Sequence, residues 1–124
     1  MEMLTVERVA LAQGLFYAAT GLWPLVHMRS FLWVTGPKTD LWLVKTVGVI
    51  VLVVGCVLLF AAGRAAVSPE VTLLATGCAA ALAGVDLVYV AKRTIGPVYL
   101  LDAAAEVGLI AWWAAAIAAT AAAR

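Results

Sequence analysis

Four ionisable residues lie inside long apolar stretches of the sequence, where an uncompensated charge is expensive. They are Lys45, Asp86, Asp102 and Glu106. A charged residue at the centre of a membrane helix costs about 2.5–3.5 kcal/mol on insertion scales, so such residues face a bundle interior and find partners there. They could donate protons, hold the head group of a lipid-soluble molecule, or only fix the register of the helices.

Helical spacing groups these residues with aromatic and basic neighbours. Asp102 and Glu106 are four residues apart, so they share one face of a helix. Asp86 shares its own face with Tyr89 and Arg93. The predicted polar or ligand-binding cluster contains Lys45, Asp86, Tyr89, Arg93, Tyr99, Asp102 and Glu106.

An ion pair is the simplest expectation for this cluster. We expect Lys45 to lie within direct or single-water reach of at least one acid, with Glu106 as its preferred partner. Three acids and one deep lysine are unbalanced. At least one acid must therefore hold a proton, reach Arg29 or Arg93, or meet a ligand.

The elements that must position these groups are membrane-spanning helices. The chain has 124 residues, of which 66% are hydrophobic and 12% charged, and its mean hydropathy is +1.10. A soluble domain is about half apolar and about a quarter charged. The sequence predicts an all-α, antiparallel, up-down four-helix bundle: a single transmembrane domain, 1–124, with helices at about 4–27, 41–62, 71–91 and 98–122.

Small residues predict how these helices pack. Glycines recur seven residues apart in three of the predicted spans, which places each pair on one helical face. Small residues let backbones approach where lipid supplies no hydrophobic drive. The pairs are Gly14 and Gly21, Gly48 and Gly55, and Gly77 and Gly84.

Other residue types indicate little chemistry. Cys56 and Cys78 form no zinc-binding pattern, and either two inert apolar side chains or a redox pair fits them. The single histidine, His27, argues against a histidine-rich metal site and against haem ligated by two histidines, and we expect neither a metal nor a cofactor. A net charge of +1 gives no reason to expect nucleic acid as a partner. The predicted membrane-interface residues are Trp23, His27, Arg29, Trp33 and Trp42.

Two stretches carry a family resemblance. The first stretch is GLWPLVHMRSF, residues 21–31, followed by VTGPKTDLWLVKTVG, residues 34–48. The second is DLVYVAKRTIGPVYLLDAAAE, residues 86–106. They resemble small four-helix bacterial membrane proteins of the DoxX-like group. That resemblance implies four helices, an acid in the third helix such as Asp86, and a role as accessory subunit of a redox system.

Three functions follow from these observations. The first is an accessory or assembly subunit of a larger membrane complex, and the second is a binding protein for a lipid-like or quinone-like molecule in a polar pocket of one leaflet. The third is an enzyme on a lipid-soluble substrate, with Glu106 or Asp86 as proton donor, although no catalytic set of residues is evident. The expected partners are membrane lipid and a larger complex or further copies of the chain. The expected location is the bacterial cytoplasmic membrane.

The distribution of basic residues favours one orientation. An even number of spans puts both termini on one side, and the loops after the first and third spans on the other. Those loops hold more of the basic residues, so the positive-inside rule places them in the cytoplasm and the termini outside. The basic residues of the two loops are Arg29, Lys38, Lys92 and Arg93.

Cysteine labelling tests this topology. In a variant lacking the native cysteines, Glu2→Cys and Ala123→Cys should both react with an impermeant maleimide added to intact cells. Reaction of both only after the membrane is opened would reverse the orientation. Reaction of one from each side would exclude four spans.

Overall fold

A computed structural model describes residues 3–123 of the chain, and this part is almost entirely helical. Four helices are long and apolar enough to cross a membrane, so the protein is an integral membrane protein. Their ends lie within two residues of the predicted bounds. The helices are α1 (Val6–Val26), α2 (Met28–Thr35), α3 (Leu41–Gly63), α4 (Pro69–Ala91) and α5 (Tyr99–Ala122).

Local sequence signals set the helix ends. Ser68 caps α4, because its hydroxyl accepts a hydrogen bond from the Val71 N–H at 3.2 Å, and Pro69 occupies the first turn. The short helix α2 was not predicted, since its segment reads as a loop. The Nδ1 atom of His27 caps it by accepting from the Ser30 N–H at 3.2 Å. Gly36, at φ +100°, ends it.

The four long helices form a ring. α1 packs along α3 and α4 packs along α5, while α5 returns to α1 and α3 also contacts α4. Each helix therefore neighbours the next one along the chain, and α3 and α5 stand on a diagonal. α2 folds back against the end of α1, where Phe31 and Trp23 make an edge-to-face contact with ring centroids 5.4 Å apart.

Glycine makes the contact between α1 and α3 unusually close. A Cβ atom added to Gly21 would lie 2.5 Å from the carbonyl oxygen of Gly48. One added to Gly55 would lie 2.5 Å from the backbone nitrogen of Ala18 and 2.9 Å from the carbonyl oxygen of Gly14. The prediction that these four glycines mediate close packing is confirmed, because no other residue leaves room for the opposing backbone.

The same prediction is wrong for Gly77 and Gly84. A Cβ atom at either position would meet nothing within 4 Å. The inner face of α4 is made instead by alanines, and Ala75, Ala79 and Ala83 are all buried. α4 turns this alanine face inward, so its glycines point away from the neighbouring helices.

Two alanine substitutions separate these situations. Gly55→Ala should destabilise the bundle by about 1–3 kcal/mol, because α1 and α3 must move apart to admit the methyl group. Gly77→Ala should cause no loss, since its methyl group enters open space and alanine favours helix by about 1 kcal/mol. Thermal unfolding in detergent micelles measures both. Equal melting temperatures for the two variants would contradict the close packing of α1 on α3.

Candidate functional site

A buried hydrogen bond joins the first and last spanning helices. The Tyr17 hydroxyl on α1 donates to Oε1 of Glu106 on α5 at 2.7 Å, and each side chain is 1% exposed. Tyr17 lies on the inner face of α1 between the packing residues Gly14 and Gly21, so the glycine contact with α3 also fixes its direction. The bond supplies a donor to a carboxyl group that is almost completely buried.

Gln13 forms a second link, one turn before Tyr17 on the same face. Its amide oxygen accepts from Trp113 Nε1 at 2.7 Å, and its amide nitrogen donates to the carbonyl oxygen of Ala75 at 2.9 Å. Gln13, Trp113 and Ala75 are fully buried. One side chain of α1 thus ties α5 to α4 across the interior, and the small alanine face of α4 lets it reach the backbone.

Three acids, which we term the carboxyl cluster, converge between α4 and α5. Asp102 lies within electrostatic range of both Asp86 and Glu106. Asp86 is only 5% exposed, and its Oδ2 is the one buried side-chain oxygen or nitrogen without a hydrogen-bond partner in the described chain. The structure therefore brings the three predicted acids together. The described residues offer no group of ligands that could hold a metal ion.

The predicted pairing of Lys45 with Glu106 is wrong. The Lys45 side chain is exposed on α3, and in the described chain it forms no ion pair with Asp86, Asp102 or Glu106. α3 and α5 stand diagonally across the ring, and Glu106 uses Tyr17 as its partner. The cluster is consequently made of acids alone.

Other predicted members of the cluster are divided by the structure. Tyr99 lies near the carboxyl cluster. The Nζ atom of Lys38 makes a cation–π contact with its ring, 5.2 Å from the ring centre. Tyr89 is 41% exposed and faces outward beneath Lys92, whose Nζ is 5.7 Å from the ring centre. Arg93 lies beyond the end of α4, exposed and with φ 58°, so it does not join the acids.

The predicted interface residues are also divided. Trp33 and Trp42 are 76% and 67% exposed, as an aromatic belt requires. Arg29 is exposed, and His27 caps α2. Trp23 instead turns inward and donates from Nε1 to the Ser30 hydroxyl at 2.8 Å.

A partly open cavity of about 380 Å³ lies between the helices beside the acids. We term it the central cavity, and its volume is within the range of small-molecule sites. Its walls come from all five helices and are mainly apolar and aromatic, while Asp102 and Glu106 are its ionisable carboxyl groups. The principal aromatic lining residues are Phe16, Tyr17, Trp23, Phe31 and Tyr99.

Sequence reasoning missed Gln13 and Tyr17 as members of the site. A signal for both was present. Gln13 is the only amide side chain in the chain and stands within an apolar helix, and Tyr17 follows it by four residues on the same face. Attention to uncharged polar residues in the spans would have found them.

No protein-family profile matches this chain, and no curated protein or solved structure does. The resemblance to the DoxX-like group stays a prediction.

Removal of one hydroxyl tests the core. Tyr17→Phe should destabilise the protein by about 1–3 kcal/mol, because Glu106 Oε1 loses its donor while remaining buried. Lys45→Met is the control and should change stability by less than about 0.5 kcal/mol, since Lys45 is exposed. Unfolding in detergent provides the measurement. A larger loss for Lys45→Met than for Tyr17→Phe would contradict this arrangement.

Proposed function

We propose that the protein binds an amphiphilic molecule from the membrane, with a cationic amine head group at Asp102 and Glu106. The main support for this proposal is the central cavity. Its apolar walls surround carboxyl groups, and its described lining includes no lysine, arginine or histidine. Sites for small molecules combine apolar walls with a few placed polar groups in this way.

Three other polar side chains of the cavity are already hydrogen-bonded. Thr20 donates to the carbonyl oxygen of Phe16 at 2.8 Å, and Thr35 donates to that of Phe31 at 2.8 Å. The Trp23 indole is bonded to Ser30. A ligand entering the cavity therefore meets the carboxyl oxygens and the Tyr99 hydroxyl as its polar partners, and a head group that donates hydrogen bonds fits them.

The charge of the site favours a cationic head group over a neutral hydrogen-bond donor. Burying a carboxylate without a positive counter-charge costs several kcal/mol, and the lysine expected to neutralise one is on the outer face of α3. A protonated amine would supply the missing positive charge and make charge-assisted hydrogen bonds. A quinone presents acceptors only, so its binding would depend on a protonated carboxyl as donor.

The depth of the acids suits a molecule that enters from one leaflet. Glu106 lies seven residues after the start of α5, which is about 10 Å along the helix axis. Asp102 lies nearer the end and is partly exposed. The head group would pass Asp102 before it reaches Glu106. We place this protein in the bacterial cytoplasmic membrane, where such a molecule would be bound from the bilayer.

The accessory-subunit function remains an alternative. The outer faces of the helices carry large exposed apolar residues, among them Phe60 at 68% and Leu73 at 72% exposure. Lipid alone can cover such faces, so they do not distinguish a subunit of a complex from an independent protein. Copurification of a defined membrane partner in stoichiometric amount would favour the subunit.

Binding of matched amphiphiles tests the proposal. With the protein in nanodiscs of zwitterionic lipid, and empty nanodiscs subtracted, dodecylamine should bind saturably and at least about tenfold more tightly than dodecanoate. Asp102→Asn should weaken dodecylamine binding by about tenfold, the equivalent of one hydrogen bond to a charged group of about 1.5 kcal/mol.

A second acid on the same membrane side provides the control. Asp40 is exposed, precedes α3 and makes no capping hydrogen bond through its side chain. Asp40→Asn removes the same charge and should leave dodecylamine affinity unchanged. Equal affinity for the amine and the carboxylate, or equal effects of the two asparagine variants, would refute the proposed function.

A further inference from the structure

A second hollow, of about 200 Å³, lies in the seam between α3 and α4. We term it the seam hollow. Apart from the Tyr17 ring and the Cys78 thiol, its lining is purely aliphatic. Its remaining lining residues are Val47, Ile50, Val51, Val54, Ala81 and Leu82.

The seam hollow adjoins the central cavity. Tyr17, Val47, Val51 and Leu82 line both spaces. The hydroxyl of Tyr17 is held at Glu106, so the tyrosine ring stands between the carboxyl cluster and the aliphatic hollow. One molecule could thus touch the acids at one end and the seam hollow at the other.

Two other hollows do not adjoin the central cavity in this way. The groove lined by Val6, Pro69 and Ile117, near the opposite ends of the helices, shares no residue with the central cavity. The surface pocket around Lys38 and Arg93 shares only Thr35. Of these three hollows, the seam hollow is therefore the one that extends the site.

The seam is also where the ring is loosest. Glycines close the α1–α3 contact, whereas α3 and α4 touch much less extensively. Val47 and Ile50, at the edge of the hollow, are 53% and 58% exposed and face the lipid. An aliphatic chain can enter here without desolvating any polar group. Because lipid is as apolar as the hollow, its gain comes from van der Waals packing and not from burial away from water.

We propose that the seam hollow holds the aliphatic tail of the same ligand whose amine lies at Asp102 and Glu106. This inference rests on the proposed function and narrows it. The ligand is an elongated, single-chain amine, with its head in the central cavity and its tail passing Tyr17 between Val51 and Leu82. The seam hollow, at about 200 Å³, is large enough for a short aliphatic segment of the tail, because an apolar cavity of about 150 Å³ already holds benzene.

Two photoreactive dodecylamines test the placement in nanodiscs. One carries a diazirine at the terminal carbon and the other beside the amine. After irradiation and peptide mapping, the terminal probe should label residues 47–54 and 78–82. The amine-side probe should label residues 102–106. Excess unlabelled dodecylamine should suppress both.

A pair of adjacent alanines supplies the matched variants. Ala81 and Ala80 are both exposed on α4, and only Ala81 lines the seam hollow. Ala81→Trp should fill the hollow, lowering labelling by the terminal probe and dodecylamine affinity several-fold. Ala80→Trp should change neither. Both positions face lipid, so the larger side chain can be accommodated without disturbing the buried core.

The outcomes separate the tail placement from the proposed function. Saturable dodecylamine binding that is sensitive to Asp102→Asn, with labelling of the seam unaffected by Ala81→Trp, would overturn the tail placement and leave the amine site standing. Absence of saturable binding would overturn both. A diazirine-labelled phosphatidylcholine that marks the seam equally with and without excess dodecylamine would identify the hollow as an ordinary lipid groove and also overturn the tail placement.

Discussion

The fold depends on the requirement that a carboxyl group inside a membrane bundle find its partner within the bundle. Glu106 meets this requirement through Tyr17, and the bond joins α5 to α1. Gln13 adds links from α1 to both α5 and α4. These polar contacts connect the α1–α3 hairpin to the α4–α5 hairpin. In bilayers each such contact contributes about 0.6–1.7 kcal/mol, and lipid supplies no hydrophobic drive that could replace it.

The two hairpins reach close packing by different means. α1 and α3 use glycine, so their backbones nearly touch and leave no room for side chains between them. α4 presents alanines to the interior, which leaves space for Gln13 to reach the Ala75 carbonyl oxygen. The close α1–α3 contact on one side and the small-residue face of α4 on the other leave space between the helices, and the central cavity lies in that space.

The acids owe their environment to this asymmetry. α3 contributes glycine and aliphatic residues to the interior, so its single lysine is left on the outside. The polar interior is built by α1, α4 and α5, with hydroxyl, amide and indole groups serving as donors. The Oδ2 atom of Asp86 has no hydrogen-bond partner, because these donors are bonded to other acceptors.

The sequence by itself determined the four spans, their ends and the glycine faces of α1 and α3. Each of these depends on interactions within one segment: hydropathy over about 20 residues, a capping serine before a proline, or glycines two turns apart. The convergence of Asp86, Asp102 and Glu106 was also predictable, because all three lie near the same ends of neighbouring spans.

Only the tertiary structure decided which face each helix turns inward and which helices stand on a diagonal. Lys45 and Glu106 lie at compatible depths, yet their helices oppose each other across the ring and Lys45 faces outward. Gly77 and Gly84 have the spacing of Gly14 and Gly21 but meet no neighbour. The rotation of a helix is set by the combined packing of all its neighbours, and in a bilayer an apolar outer face resembles an apolar inner one. The sequence of one span cannot distinguish its inner face from its outer face. The packing of the four helices against one another decides which face turns inward.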